Sequence, residues 1–283
     1  VYCIKSILGF LMAKSLNGLT EIQIAKRIKE GRGQGSGADY KPWLRIHEVP
    51  SQGLSHRIYS FKTRRTHHLL SNLELGVFLT LDWMDHVQDI REQYPLLRDE
   101  TIEIASTNGI KHPNIRGINQ VMTSDFLIDS SSHKQFVIQV KPLSELSDPR
   151  TIEKLEIERR YRVSKDIPWY IITEKELNPT VLDNIKWLYS SQEDTQDFSQ
   201  LLNALNNFEF ACQQHLQMKL SDICKFIDRE YQQDLGQSLA DLKQLMAHRL
   251  IKFDITQKFK ELRVKDIIFY QHQLVEGFLN VAN

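Results

Sequence analysis

Apolar residues recur at helical spacing in several stretches of the chain. Across Glu21–Glu30, Ile22, Ile24, Ala25 and Ile28 interleave with basic residues, which predicts a short helix. A second helix is expected roughly from His67 to Trp83, with Leu70, Leu73, Val77, Phe78 and Leu81 as its apolar stripe. A third runs roughly from Pro149 to Ser164, where Glu153, Lys154, Glu156, Glu158, Arg159 and Arg160 form a charged helical array. Four segments are rich in β-branched and aromatic residues and read as strands: His56–Phe61, Phe126–Asp129, Phe136–Lys141 and Trp169–Thr173. Helix, strands, helix, strand is the order of a mixed α/β core. Beyond the polar run Ser190–Asp197, a linker or exposed turn, the pattern turns helical. Lys219–Tyr231 and Ser238–Arg249 are amphipathic, and Leu250–Ile255 alternates like a strand, the order of a winged helix-turn-helix.

Composition adds little to this frame, whereas the distribution of charge adds more. The 283 residues are 41% hydrophobic and 25% charged with zero formal net charge, which excludes a disordered chain. Up to Leu70, however, 12 Lys and Arg stand against 4 Asp and Glu, a net of +8. Such a quarter is either a solvated basic face or a place where a polyanion docks. Within it, Lys26, Arg27, Lys29 and Arg32 are the candidates for contact with such a polyanion. The run Gly31–Gly37 lacks the GxGxxG spacing of a phosphate cradle and reads as a flexible basic loop. Cys3, Cys212 and Cys224 form no CxxC and no metal-ligand spacing, which fits a reducing compartment such as the cytoplasm. No run of ~18 apolar residues predicts a membrane span. The apolar start, residues 1–11, is followed by Met12. Met12 is expected to be the native initiator, with 1–11 a non-native extension.

Candidate chemistry gathers in the middle of the chain. On the strand Phe136–Lys141, Gln139 and Lys141 share one face, while Phe136, Ile138 and Val140 share the other. Asp125 stands at the mouth of the neighbouring apolar strand. Glu74 lies inside the apolar stripe of the second helix, where a carboxylate is costly unless paired or metal-bound. Two carboxylates with nearby neutral oxygens suit Mg2+ or Mn2+, and the main-chain carbonyl of Val140 is a further candidate ligand. The expected metal set is Glu74, Asp125, Gln139 and Val140. The catalytic set is Glu74, Asp125, Gln139 and Lys141, with Lys141 stabilising charge on a phosphate or positioning the attacking water.

This order resembles the PD-(D/E)XK, or restriction-endonuclease-like, fold, with Ser124 in place of the motif's Pro and Gln139 in place of its strand carboxylate. The resemblance sharpens along the chain. Residues 24–35, Ser55–Ser60, His67–Ser71, Leu73–Leu75, Asp89–Gln93, Ile138–Pro142 and Leu155-Glu156 closely resemble the TnsA family of transposition endonucleases. The resemblance implies a metal-dependent nuclease that cuts the 5′ strands at transposon ends. A TnsB-like transposase would cut and join the 3′ ends, and a TnsC-like ATP-dependent regulator would contact the C-terminal domain. It also implies that the family's acids, glutamine and lysine fall on Glu74, Asp125, Gln139 and Lys141. The expected organisation is a restriction-endonuclease-like catalytic domain over 12–178 and a mainly helical, winged-helix-like domain over 179–283. The alternatives are a restriction or repair nuclease of the same fold, and a non-catalytic transposition adaptor.

Other residues carry weaker signals. His67 and His68 diverge on a helix and are expected to cap or meet solvent. Lys111, His112 and Arg116 precede the Asp125 strand and are either surface charge or a phosphate track. For Glu158, an ion pair with Arg162 is expected.

Overall fold

A computed structural model describes residues 18–48, 54–131, 135–192 and 198–270. The expected extension 1–11 and Met12 lie outside the described residues, as do 193–197 of the expected linker. The chain divides into two compact units, one of residues 1–75 and 85–174, the other of 76–84 and 175–283.

The first unit opens with α1 (Glu21–Lys29). Thr20 starts it with a reciprocal cap, accepting from the Gln23 N–H while the Gln23 side chain accepts from the Thr20 N–H. The glycine-rich run that follows is tied down rather than loose. Gly31, Gly33, Gly35 and Gly37 all take positive φ, and the Gly37 N–H donates to Asp89 Oδ2 at 3.1 Å. A side chain at Gly33 would collide with Pro95. The expectation of a flexible loop is therefore corrected: alternate glycines allow a tight path against the sheet.

Next comes a hairpin of β1 (His56–Ser60) and β2 (Arg65–Leu69), with Arg57 opposite His68. The helix expected from His67 begins only at Asn72, as α2 (Asn72–Trp83). The reason is local and tertiary together. Alternation in β2 turns Arg65, His67 and Leu69 inward. Ser71 Oγ then accepts from the Glu74 N–H at 3.1 Å, a capping arrangement that fixes the helix start. Glu74 lies on the part of α2 that belongs to the first unit, and Gly76–Met84 count with the second.

The central sheet has four strands in the order β3 (Val87–Pro95), β6 (Thr123–Ser130), β7 (Gln135–Val140) and β8 (Trp169–Ile172). β3–β6 and β6–β7 are antiparallel, and β7–β8 is parallel. The helix α3 (Arg98–Thr107) and the small hairpin β4 (Asn114–Ile115) and β5 (Ile118–Asn119) lie between β3 and β6 in sequence. The crossover from β7 to β8 is α4 (Pro149–Ser164), started by Asp148, which accepts from the Thr151 N–H at 2.7 Å, with Pro149 in the first turn. Phe126, Leu127, Ile128, Val137 and Ile138 bury both faces of the inner strands, as in sheets covered on each side.

The second unit carries α5 (Pro179–Tyr189), α6 (Phe198–Gln214), α7 (Leu220–Glu230) and α8 (Gln237–Ala247). Antiparallel β9 (Ile251–Phe253) and β10 (Ile267–Phe269) complete it. Leu220, Ile223, Ile227, Leu242 and Leu245 form its core, with Cys212 and Cys224 buried as apolar residues whose thiols burial pushes up to about 12. Gly76 is required there, because a Cβ would meet Leu177 at 2.8 Å. Among the described residues no helix is long and apolar enough to cross a membrane.

Candidate active site

The centre of the site is a fork between β6 and β7. Their pairing ends at Phe126–Ile138. β6 continues beyond it against β3, through Ser124–Tyr94 and Thr123–Pro95, while β7 continues against β8 through Val140–Ile172. Each inner strand thus follows its outer neighbour, and the two part. The backbone groups exposed at the parting are paired by side chains instead. The Asp125 N–H donates to Gln139 Oε1 at 3.0 Å, and the Val140 N–H donates to Asp125 Oδ2 at 2.7 Å.

The Lys141 ammonium sits in the crotch. Nζ donates to Asp125 Oδ2 at 3.3 Å and to the Val140 carbonyl at 2.9 Å. Burial pulls the ammonium's pKa down, but Asp125, with Glu158 and Glu74, more than offsets this, so it lies above the ordinary lysine value. Glu74 joins from the first turn of α2. Its carboxylate accepts from the Leu70 N–H at 2.9 Å, Ser71 Oγ at 3.2 Å and Gln93 Nε2 at 3.3 Å. Burial, then the nearby Asp125 charge, raise its pKa well above the usual carboxylate range.

The structure therefore brings Glu74, Asp125, Gln139, Val140 and Lys141 to one place. The donor set fits a hard divalent cation: Asp125 Oδ2 and the Val140 carbonyl already converge on one positive group, and all the donors are oxygens. The Glu74 carboxylate, whose ionisation burial and the Asp125 charge make costlier, would be relieved by such an ion. Gln139 Oε1 is engaged by the Asp125 backbone, so its first task is to hold Asp125 in place, with one lone pair left. Among the described residues no group of three or more His, Cys, Asp or Glu is placed to hold a metal, so any such site depends on neutral oxygens.

Several supporting residues had no distinctive sequence signal. Gln93 lies across the sheet from Asp125, is skipped by the β3–β6 ladder, and has φ 50°. It spans the gap to Glu74, while its Oε1 accepts from Thr123 Oγ1 at 3.4 Å. Its neighbour Glu92 is fully buried and accepts from Arg65 at 2.9 and 2.5 Å, the His68 N–H at 3.0 Å and His67 Nδ1 at 2.9 Å. Burial alone would raise Glu92, but His67 and Arg65 hold it well below the usual range. The expectation that His67 caps a helix or meets solvent is corrected: it is buried between Glu92 and Thr63.

Ser124 replaces a motif proline and gains a use. Its hydroxyl donates to Glu158 at 2.6 Å and accepts from Arg162 at 2.8 Å, so this hydroxyl stands between the two residues expected to pair directly. Burial pushes Glu158 up to about 7. Arg27 and Arg32 are also corrected as DNA contacts. Arg27 donates to the Trp43 carbonyl and lies 3.4 Å from Glu48, and Arg32 pairs with Glu48 at 2.6 Å and Glu30 at 2.9 Å, both largely out of solvent. His112 is buried against Thr101 at 3.0 Å.

Comparison with known proteins gives three matches. Residues 84–174 match the model for the TnsA-like endonuclease N terminal, and residues 176–255 match the TnsA endonuclease C terminal. The chain is 50% identical over 275 residues to the transposon Tn7 transposition protein TnsA of Escherichia coli, covering 96% of this chain and all of the relative. Asp125, Gln139, Val140, Lys141 and Glu158 fall inside the first matched region, and Glu74 precedes it.

Proposed function

The chain belongs to the TnsA endonuclease family, and from that membership we propose that it cuts the 5′ strands at the ends of a cut-and-paste DNA transposon. It does so by Mg2+-dependent phosphodiester hydrolysis, with Mn2+ as a substitute, leaving a 3′ hydroxyl and a 5′ phosphate. It acts on duplex DNA in the bacterial cytoplasm with a TnsB-like transposase and a TnsC-like ATP-dependent regulator. The regulator docks on the C-terminal helical unit.

What supports this reading is the fork, where Asp125, the Val140 carbonyl and Lys141 converge beside Glu74. Glu74, Asp125 and the Val140 carbonyl would hold the ion, with the free lone pair of Gln139 as a further donor. When bound, the ion supplies Lewis-acid charge to the scissile phosphate and activates the attacking water. Lys141 stays protonated and presents its N–H donors to the phosphate or the water. Gln139 fixes the Asp125 backbone, and Ser71, Leu70 and Gln93 orient Glu74.

The test is strand cleavage at labelled transposon ends with cognate transposase and regulator in Mg2+. Asp125→Ala should leave only 3′-strand cuts where the wild type cuts both. Equal 5′ cutting by both proteins would make Asp125 structural and favour the adaptor reading.

A further inference from the structure

The β1–β2 hairpin has two unlike faces. Inward, Arg65 and His67 are consumed by Glu92. Outward, the cross-strand pairs Arg57–His68 and Tyr59–Thr66 present one face, with Arg57 and Tyr59 exposed. The 3-10 turn Ile46–Glu48 adds to it: the His47 and His68 rings lie 6.5 Å apart, edge to face, and Arg45, His47 and Arg57 are all within electrostatic reach of His68.

The two carboxylates nearest these groups are engaged elsewhere: the Glu48 side chain pairs with Arg27 and Arg32, and Glu92, which acts on His68 from behind the hairpin, is bonded to Arg65 and His67. Among the described residues the side chains of Arg45 and Arg57 form no ion pair, in contrast to Arg27, Arg32, Arg65, Arg91 and Arg98. His68 Nδ1 is shielded from water and has no hydrogen-bond partner. Two guanidinium groups without an ion pair among the described residues, with imidazoles and a threonine on the same face, are a donor set that tracks a phosphate backbone.

The position of the face selects the partner. His68 is two residues from Leu70, whose N–H donates to Glu74, so β2 leads from this face into the fork at a strand's ~3.3 Å per residue. We propose that the outer face of the β1–β2 hairpin, with Arg45 and His47, grips the DNA phosphate backbone beside the scissile bond. The inference rests on the endonuclease reading and adds the surface that holds the substrate.

Salt dependence of binding tests it, because each arginine–phosphate contact releases condensed counterions. The full chain is titrated against a short fluorescein-labelled duplex in EDTA, read by anisotropy over a range of salt. Wild type should bind at low salt. Arg45→Gln with Arg57→Gln should flatten the slope of log K against log salt by about 1.8 and weaken binding on the order of 10- to 100-fold near 0.1 M salt. The paired lysine variants, Arg45→Lys with Arg57→Lys, should keep the wild-type slope, which a packing role for the arginines would not produce. An unchanged slope in the glutamine variant overturns the proposal, as does failure of the wild type to retain duplex at the lowest salt. Asp125→Ala separates the two readings. Lost 5′ cutting with an unchanged glutamine-variant slope leaves the nuclease standing and removes the hairpin surface. Retained 5′ cutting removes the nuclease assignment whatever the slope.

Discussion

Replacing Glu92 with glutamine removes one charge from the centre of a buried cluster. In the wild type the carboxylate accepts two bonds from Arg65, one from His67 and one from the His68 N–H, with no exposure to water. Glutamine offers one oxygen to this set and turns an NH2 group toward other donors. Arg65 then stays buried with its charge unanswered, a loss of about 3–5 kcal/mol for breaking a buried pair. Two contacts survive: Arg65 Nη2 still donates to the Ile90 carbonyl at 2.6 Å, and its guanidinium lies 4.9 Å from the Tyr40 ring centroid. The cost therefore belongs at the lower end, about 3 kcal/mol. Urea unfolding followed by circular dichroism measures it. Because the folded carboxyl lies below its ordinary value of 4.5, the stabilisation is full at neutral pH and is lost only as pH falls below that value toward the depressed one. The gap between wild type and variant should therefore close in acid. The triple variant Arg65→Met, His67→Leu, Glu92→Leu should recover part of the loss, since removing every partner leaves no orphan charge. A Glu92→Gln cost under about 1 kcal/mol at pH 7, or a gap that widens in acid, would refute the account.

Two further outcomes follow from the same geometry. With Glu74 holding the proposed ion for the proposed 5′ cutting, Gln93→Leu removes a donor to Glu74 and should lower kcat about 10- to 100-fold with KM for duplex unchanged. Gln93→Gly should cut as slowly yet be about 1 kcal/mol more stable than Gln93→Leu, because glycine accepts φ 50° without strain. Equal kcat for wild type and Gln93→Leu in single-turnover assays would remove Gln93 from the positioning role. Glu158, raised to about 7 by burial, favours the folded state fully below its ordinary 4.5, and that benefit fades as pH rises through 7. In EDTA, Glu158→Gln should therefore be more stable than wild type at pH 8, by up to about 3 kcal/mol, and lose that advantage at pH 5. Thermal unfolding at the two pH values decides it, and an advantage confined to pH 5 would sink the reasoning.

Much of the fold could be read along the chain because local pattern and tertiary outcome agreed. β6 and β7 carry the apolar cores Phe126–Ile128 and Phe136–Ile138, β8 is apolar throughout, and α4 carries both an N-terminal cap and a proline start. β3 escaped notice because Asp89, Arg91, Glu92 and Gln93 look like a surface segment. Each is buried, and the partners that make burial tolerable, Arg65, His67, Asp129 and Glu74, come from elsewhere in the chain. The start of α2 was misplaced for a similar reason: Leu70 continues the helical stripe, while the fate of Arg65 and His67 is set by Glu92, 25 or more residues away. Here the Ser71-x-x-Glu74 cap was the local signal that outranked periodicity.

The sequence by itself determined which residue types the site contains, the family, and the strands that carry Asp125, Gln139 and Lys141. Side-chain alternation and residue chemistry are properties of short segments, and they survive any arrangement of the rest. Only the tertiary structure decided what each residue does. The parting of β6 from β7 hands two backbone N–H groups to Gln139 and Asp125, turns Lys141 toward the Val140 carbonyl, and leaves Gln93 as the brace for Glu74. It also decided which of the basic residues are spent inside and which face outward, with Arg27 and Arg32 locked to Glu48 and Arg57 left on the hairpin face. Those outcomes depend on strand neighbours and on distant partners, and a pattern read along one chain carries no record of which partner arrives.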